Sequence, residues 1–173
     1  MIDDSIVRGT TLEKSILKML DRLGPKKIVV VSSAPQIRFP DCYGIDMSKM
    51  GDFVAFRAMI GLLKDHGKDY LLGEVYEKCM RAKGQQHQQN FVKLLYDQFT
   101  DEEISHKVSE IIKPGGMKAD VKVVFQTVNN LHKACPRHIG DWYFTGNYPT
   151  PGGMKVVNRS YLNYMEGKLV RAY

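Results

Sequence analysis

Apolar residues recur along this chain at two periods, and the switches between them lay out its elements. Leu12, Ile16, Leu17, Leu20 and Leu23 fall on one helical face, so the spacing predicts a helix over residues 10–23. Thr10 stands as its N-cap with Glu13 three residues on, the arrangement of a capping box, and Gly24-Pro25 ends it. Residues 27–33 (Lys-Ile-Val-Val-Val-Ser-Ser) are a β-branched apolar run, as expected of a strand buried on both faces of a parallel sheet. Only Met1-Ile2 stands ahead of the acidic pair Asp3-Asp4, enough for the end of a first strand. Strand, helix, strand makes a βαβ unit, which places the acidic pair at a strand's carboxyl end, where open parallel sheets bind ligands.

Beyond this unit, Pro35 and Pro40 stiffen a loop over residues 34–47. Phe53, Val54, Phe56, Met59, Ile60, Leu62 and Leu63 predict a helix over 53–63, and residues 71–80 also read as helical. The polar tract 85–90 suits an exposed turn or helix face, after which Phe91, Leu94, Leu95 and Phe99 restore the helical period. Thr100 and Glu103 form a second capping box, opening a helix that reaches Ile112 and halts before Pro114. A strand is expected over 121–125, a helix over 127–135 with Val128, Leu131 and Ala134 on one face, and a terminal helix over 159–170. The string Pro-Gly-Gly-Met-Lys occurs at 114–118 and again at 151–155 and reads as a type II turn both times.

Composition narrows the functional classes. The 173 residues are 43% hydrophobic and 25% charged, ordinary for a globular protein. No run approaches the ~18 apolar residues of a membrane span, and the first residues lack the basic-then-apolar order of a signal peptide. The net charge of +6 comes from scattered Lys and Arg; without a basic run or a nucleic-acid motif it reads as a solvated surface. Cys42, Cys79 and Cys135 are odd in number and far apart, which favours a reducing cytoplasm and cysteines used as packing residues. His66, His87, His106, His132 and His138 show no zinc-ligand spacing.

Chemistry concentrates in Asp3-Asp4-Ser5-Ile6-Val7-Arg8-Gly9-Thr10-Thr11. Paired carboxylates can accept hydrogen bonds from ribose hydroxyls and sit beside a Mg²⁺. A small-residue loop running into a helix N-terminus offers N–H groups to a phosphate, and Gly9 permits close approach. An acidic turn that merely caps the helix has the same spacing.

As a string, the stretch resembles the phosphoribosyl-pyrophosphate (PRPP) motif of type I phosphoribosyltransferases, its Ser-Ile-Val-Arg-Gly-Thr-Thr ending that of glutamine-dependent amidophosphoribosyltransferases. Ser33-Ala34-Pro35, Arg38-Phe39-Pro40 and Tyr43-Gly44-Ile45-Asp46 match the same family at the family's distance, and Phe144-Thr145-Gly146-Asn147-Tyr148-Pro149 is similar to its C-terminal part. The resemblance implies an α/β fold: part of a type I phosphoribosyltransferase domain, with a parallel sheet, flanking helices and a largely helical insertion. It divides the chain into the core half 1–63, the insertion 64–99 and the remaining strand, helix and tail 100–173. It implies that Asp3 and Asp4 bind the ribose hydroxyls and Mg²⁺, while Ser5, Val7, Arg8, Gly9, Thr10 and Thr11 wrap the 5′-phosphate. The family makes phosphoribosylamine from PRPP and glutamine-derived ammonia in purine synthesis. Its glutaminase domain and the N-terminal half of its transferase domain have no counterpart here, so the chain alone is expected to be inactive and either to self-associate or to rearrange its first strand. A non-catalytic module binding PRPP or a nucleotide phosphate is the alternative. Some members carry an iron–sulfur cluster, but the matching positions here are Asp41, Gly140 and Tyr143, and no cluster is expected.

Overall fold

The computed structural model of the chain describes residues 1–42, 47–86, 88–138 and 140–172. Its sheet has three parallel strands in the order β1 (Ile2–Asp3), β2 (Lys27–Ser32) and β3 (Asp120–Phe125). Ile2 lies beside Val31, and Val30 beside Val123. The ladder continues past β1, with the Ser33 and Ala34 N–H groups donating to the Asp3 and Asp4 carbonyls at 2.9 and 3.0 Å. The acidic pair therefore sits at a strand's carboxyl end, as the βαβ pattern predicts.

β2 departs from the expected doubly buried strand. Ile28, Val30 and Ser32 are buried, whereas Lys27, Val29 and Val31 are exposed. Helices α1 (Leu17–Asp21), α2 (Val54–Asp65) and α5 (Asp101–Ile112) share one hydrophobic cluster with Ile28, Val30 and Val123. Burial of both faces needs a helical layer on each, and the face carrying Ile2, Val29, Val31 and Val124 stays exposed.

The two capping boxes part ways. At the second, the Glu103 N–H donates to the Thr100 hydroxyl at 3.2 Å and the Thr100 N–H to the Glu103 carboxylate at 2.7 Å. At the first, Thr10 is already helical, and Gly9 holds the cap position, its carbonyl accepting from the Glu13 N–H at 3.0 Å. A π turn over Leu12–Ile16 follows, where the Leu17 N–H reaches the Leu12 carbonyl, before α1 begins. Such widened turns recur at functional sites.

Helices α3 (Tyr70–Ala82), α4 (Lys93–Tyr96), α6 (Val128–Ala134), α7 (Trp142–Thr145) and α8 (Pro151–Met165) complete the fold. Val75, Cys79, Val92, Leu95 and Tyr96, all from 64–99, enter the same cluster as Val30. The polar tract is partly a packed connection. Buried Asn158 of α8 donates to Gln88 and to the Gln89 carbonyl and accepts from the Phe91 N–H, while buried Asn90 donates to the Gly146 carbonyl. His87 lies outside the described residues.

The repeated Pro-Gly-Gly-Met-Lys string takes two structures. At 114 it is a turn, with the Met117 N–H on the Pro114 carbonyl and Gly116 at φ +76°. At 151 it is the first turn of α8, because the Thr150 hydroxyl accepts from the Gly153 N–H and Pro151 occupies the first helical position. Helix α8 thus starts well before residue 159. It stops at Met165 because Gly167 (φ +67°) turns the chain left-handed, with the Lys168 N–H on the Asn163 carbonyl.

Candidate functional site

At the carboxyl end of β1 the chain bends around a cavity of about 630 Å³. Asp3, Ser5, Val7, Arg8, Gly9, Thr10 and Thr11 all line it; of the candidate residues only Asp4 does not. Ile6, Leu12, Ile16 and Met47 supply the apolar part of the wall. The N–H groups of Thr10, Thr11 and Leu12 precede the first intrahelical bond, which starts at Glu13, and so are donors without a helical acceptor. The positive end of the helix dipole lies at the same place.

Gly9 is required twice over. Its φ of +71° is left-handed, and a Cβ there would lie 2.8 Å from Ile112 Cγ2 on α5. Sequence reasoning missed the rest of the loop's support. The Val54 N–H, at the start of α2, donates to the Val7 carbonyl at 2.8 Å, and Arg57 Nη2 donates to the Arg8 carbonyl at 2.6 Å. The Arg8 guanidinium lies 3.5 Å from Asp52. These partners lie more than forty residues along the chain, so no local spacing could have shown them.

Electrostatics single out Asp3. Partial burial, a hydrogen bond shared with Asp4 and repulsion from its charge raise the Asp3 pKa above the ordinary aspartate range. Adjacent carboxylates that resist ionising together are a donor set suited to a hard divalent cation.

The second family-like stretch is firmly seated where it is described. The Arg38 and Phe39 N–H groups both donate to the Tyr143 carbonyl, the Tyr96 hydroxyl donates to the Arg38 carbonyl at 3.0 Å, and Arg38 pairs with Asp101 at 2.5 Å. The Tyr148 hydroxyl donates to the Pro40 carbonyl. Tyr43, Gly44, Ile45 and Asp46, the last part of that stretch, lie outside the described residues.

Two of the positions that match the family's cluster ligands meet in the structure. The Tyr143 hydroxyl donates to Asp41 Oδ1 at 3.2 Å. Among the described residues no three His, Cys, Asp or Glu side chains group as metal ligands. Cys79 is buried as a packing residue, Cys42 is half-buried, and Cys135 is exposed, outside the packing role expected of it. No described helix is long and apolar enough to cross a membrane.

Comparison with known proteins gives this geometry a context. No family model matches the chain. It is 51% identical over 55 residues to an amidophosphoribosyltransferase of Escherichia coli, covering 32% of this chain and 11% of that protein. Its identity to the Pseudomonas aeruginosa amidophosphoribosyltransferase is 41% over 85 residues, 49% of this chain and 17% of the relative. The longest of these matches, to the Staphylococcus epidermidis amidophosphoribosyltransferase, is 30% identical over 141 residues, 76% of this chain and 28% of the relative. This chain is a homologue of the C-terminal region of the amidophosphoribosyltransferases. It spans between about a tenth and just over a quarter of the length of these relatives. The α/β architecture, a parallel sheet with flanking helices, is consistent with part of a type I phosphoribosyltransferase fold.

Proposed function

We propose that the loop from Asp3 to Thr11 binds the ribose 5-phosphate part of PRPP, and that the protein to which this chain contributes makes 5-phosphoribosylamine for purine synthesis. The observation that carries this is the gathering of the motif around one cavity at a strand's carboxyl end, in a homologue of the amidophosphoribosyltransferases. Thr10 and Thr11 offer hydroxyls and first-turn N–H groups to the 5′-phosphate, and Arg8 and Gly9 add loop N–H groups. Asp3 and Asp4 accept from the ribose 2′- and 3′-hydroxyls and would hold Mg²⁺. Bound there, Mg²⁺ would supply positive charge to the pyrophosphate leaving group. In the reaction, ammonia forms a bond to C1 of PRPP as the C1–oxygen bond breaks, pyrophosphate leaves with its electron pair, and the nitrogen sheds a proton. Residues holding ribose and 5′-phosphate fix C1 in line for that displacement.

The measurement is pyrophosphate release from PRPP, Mg²⁺ and ammonia, by this chain alone and with the remaining length of a relative supplied. Activity only in the supplemented sample is the expected outcome. PRPP binding without turnover in either sample would favour a regulatory module. Absence of PRPP binding in both would refute the reading.

A further inference from the structure

The loop's peptide groups are aimed by α2, and one side chain of that helix carries much of the task. In a trans peptide the C=O and the following N–H point in opposite directions, and no peptide among the described residues is cis. The Val7 carbonyl is taken by the Val54 N–H and the Arg8 carbonyl by Arg57. The N–H groups of Arg8 and Gly9, on the far sides of those two peptides, therefore point away from α2. Both residues line the cavity. Arg57 does not line it.

We infer that Arg57 is a positioning residue of the phosphate loop: by holding the Arg8 carbonyl it turns the Gly9 N–H toward a bound phosphate. A second observation supports a role beyond packing. Arg57 Nε is fully buried and has no hydrogen-bond partner among the described residues. A buried unpaired donor is destabilising, so the guanidinium is kept in a place that does not suit all of it, with Nη2 within 2.6 Å of the loop. Asp52, just ahead of α2, engages the Arg8 side chain, so this residue is gripped both at its carbonyl and at its guanidinium. The inference rests on the ribose-phosphate reading above.

The test uses the full product of the reading frame and ribose 5-phosphate as the probe, titrated by calorimetry with Mg²⁺ present. Arg57→Met keeps the aliphatic bulk and removes the donor; Arg57→Lys restores a single donor. We expect Arg57→Met to weaken binding by about tenfold or more, the scale for a lost charged hydrogen bond, and Arg57→Lys to stay within about threefold of the unmodified protein. In the ligand-free protein, the Arg8 and Gly9 amide signals in the ¹H–¹⁵N spectrum should shift in Arg57→Met while those of β2 and α5 stay in place. Equal affinity in Arg57→Met, or equal weakening in both variants, would overturn the positioning role. If the unmodified protein fails to bind ribose 5-phosphate, the ribose-phosphate reading falls. The amide signals then decide the loop geometry by themselves: a local shift supports the anchoring by Arg57, and an unchanged loop refutes it.

Discussion

At the scale of single residues, Asp3 is the candidate-site carboxylate whose protonation its neighbours shift. Burial and the neighbouring Asp4 push its pKa up, so the folded state holds the proton more tightly than the unfolded chain does. The sign follows from proton counting: stability from this group is gained as pH falls through the raised value and is lost as pH rises through it. A cation reverses the preference, because it binds the ionised form. Mg²⁺-dependent ligand binding should therefore begin to weaken, as the solution is acidified, at a higher pH than an ordinary aspartate would cause. Asp4→Asn removes the repulsion and should bring the Asp3 titration, followed by carboxyl ¹³C shifts, down toward the ordinary range. Asp3→Asn with Asp4→Asn should abolish Mg²⁺-dependent PRPP binding. An unchanged Asp3 titration in Asp4→Asn would show that burial alone sets its value.

At the scale of elements, the contrast between Thr10 and Thr100 separates a hydroxyl proposed to meet a ligand from a structural cap. Thr100 closes a complete capping box at the start of α5, so Thr100→Ala should cost about 1 kcal/mol of stability. That corresponds to a fall of about 2–4 °C in Tm for a chain of this size. Thr10 makes no cap bond, since Gly9 holds that place; Thr10→Ala should leave Tm nearly unchanged and weaken ribose 5-phosphate binding. A Tm loss in Thr10→Ala as large as in Thr100→Ala would contradict this assignment. Both stretches read alike in the sequence, and what parts them is the residue before. Gly9 at positive φ sends Thr10 straight into the helix, whereas Thr100 stays extended at ψ 159°. Element type was legible wherever the apolar period was long, as in α2, α5 and β3. What escaped was decided by contacts distant in sequence. The Pro-Gly-Gly-Met-Lys string became a helix start at 151 through Thr150, and the grip of α2 on the loop from Asp3 to Thr11 joins residues 8 and 57.

At the scale of the whole molecule, the sheet is the element that the described residues leave half-covered. Residues 27–33 carry apolar side chains at every position from Ile28 to Val31, the composition of a strand with packing on both faces. On one face Ile28, Val30 and Val123 join the hydrophobic cluster that includes α2 and α5; on the other, Ile2 is 78% exposed, Val29 38%, Val31 36% and Val124 39%. Covering a valine fully is worth roughly 1.5–3 kcal/mol, so this face forgoes a stabilisation for which its sequence is suited. The register makes it continuous, since Ile2 stands beside Val31 and Val31 beside Val124. A contiguous apolar face of this kind should bind an anilinonaphthalene dye, with fluorescence above that of a protein whose sheet is covered on both sides. Val29→Lys with Val31→Lys places charges on that face without touching the buried set, because alternate side chains of a strand point to opposite sides. The double variant should keep the far-ultraviolet circular dichroism of the parent and lose most of the dye signal. Retained dye fluorescence would move the open apolar surface elsewhere, and loss of the helical signal would mean that these two valines support the core after all.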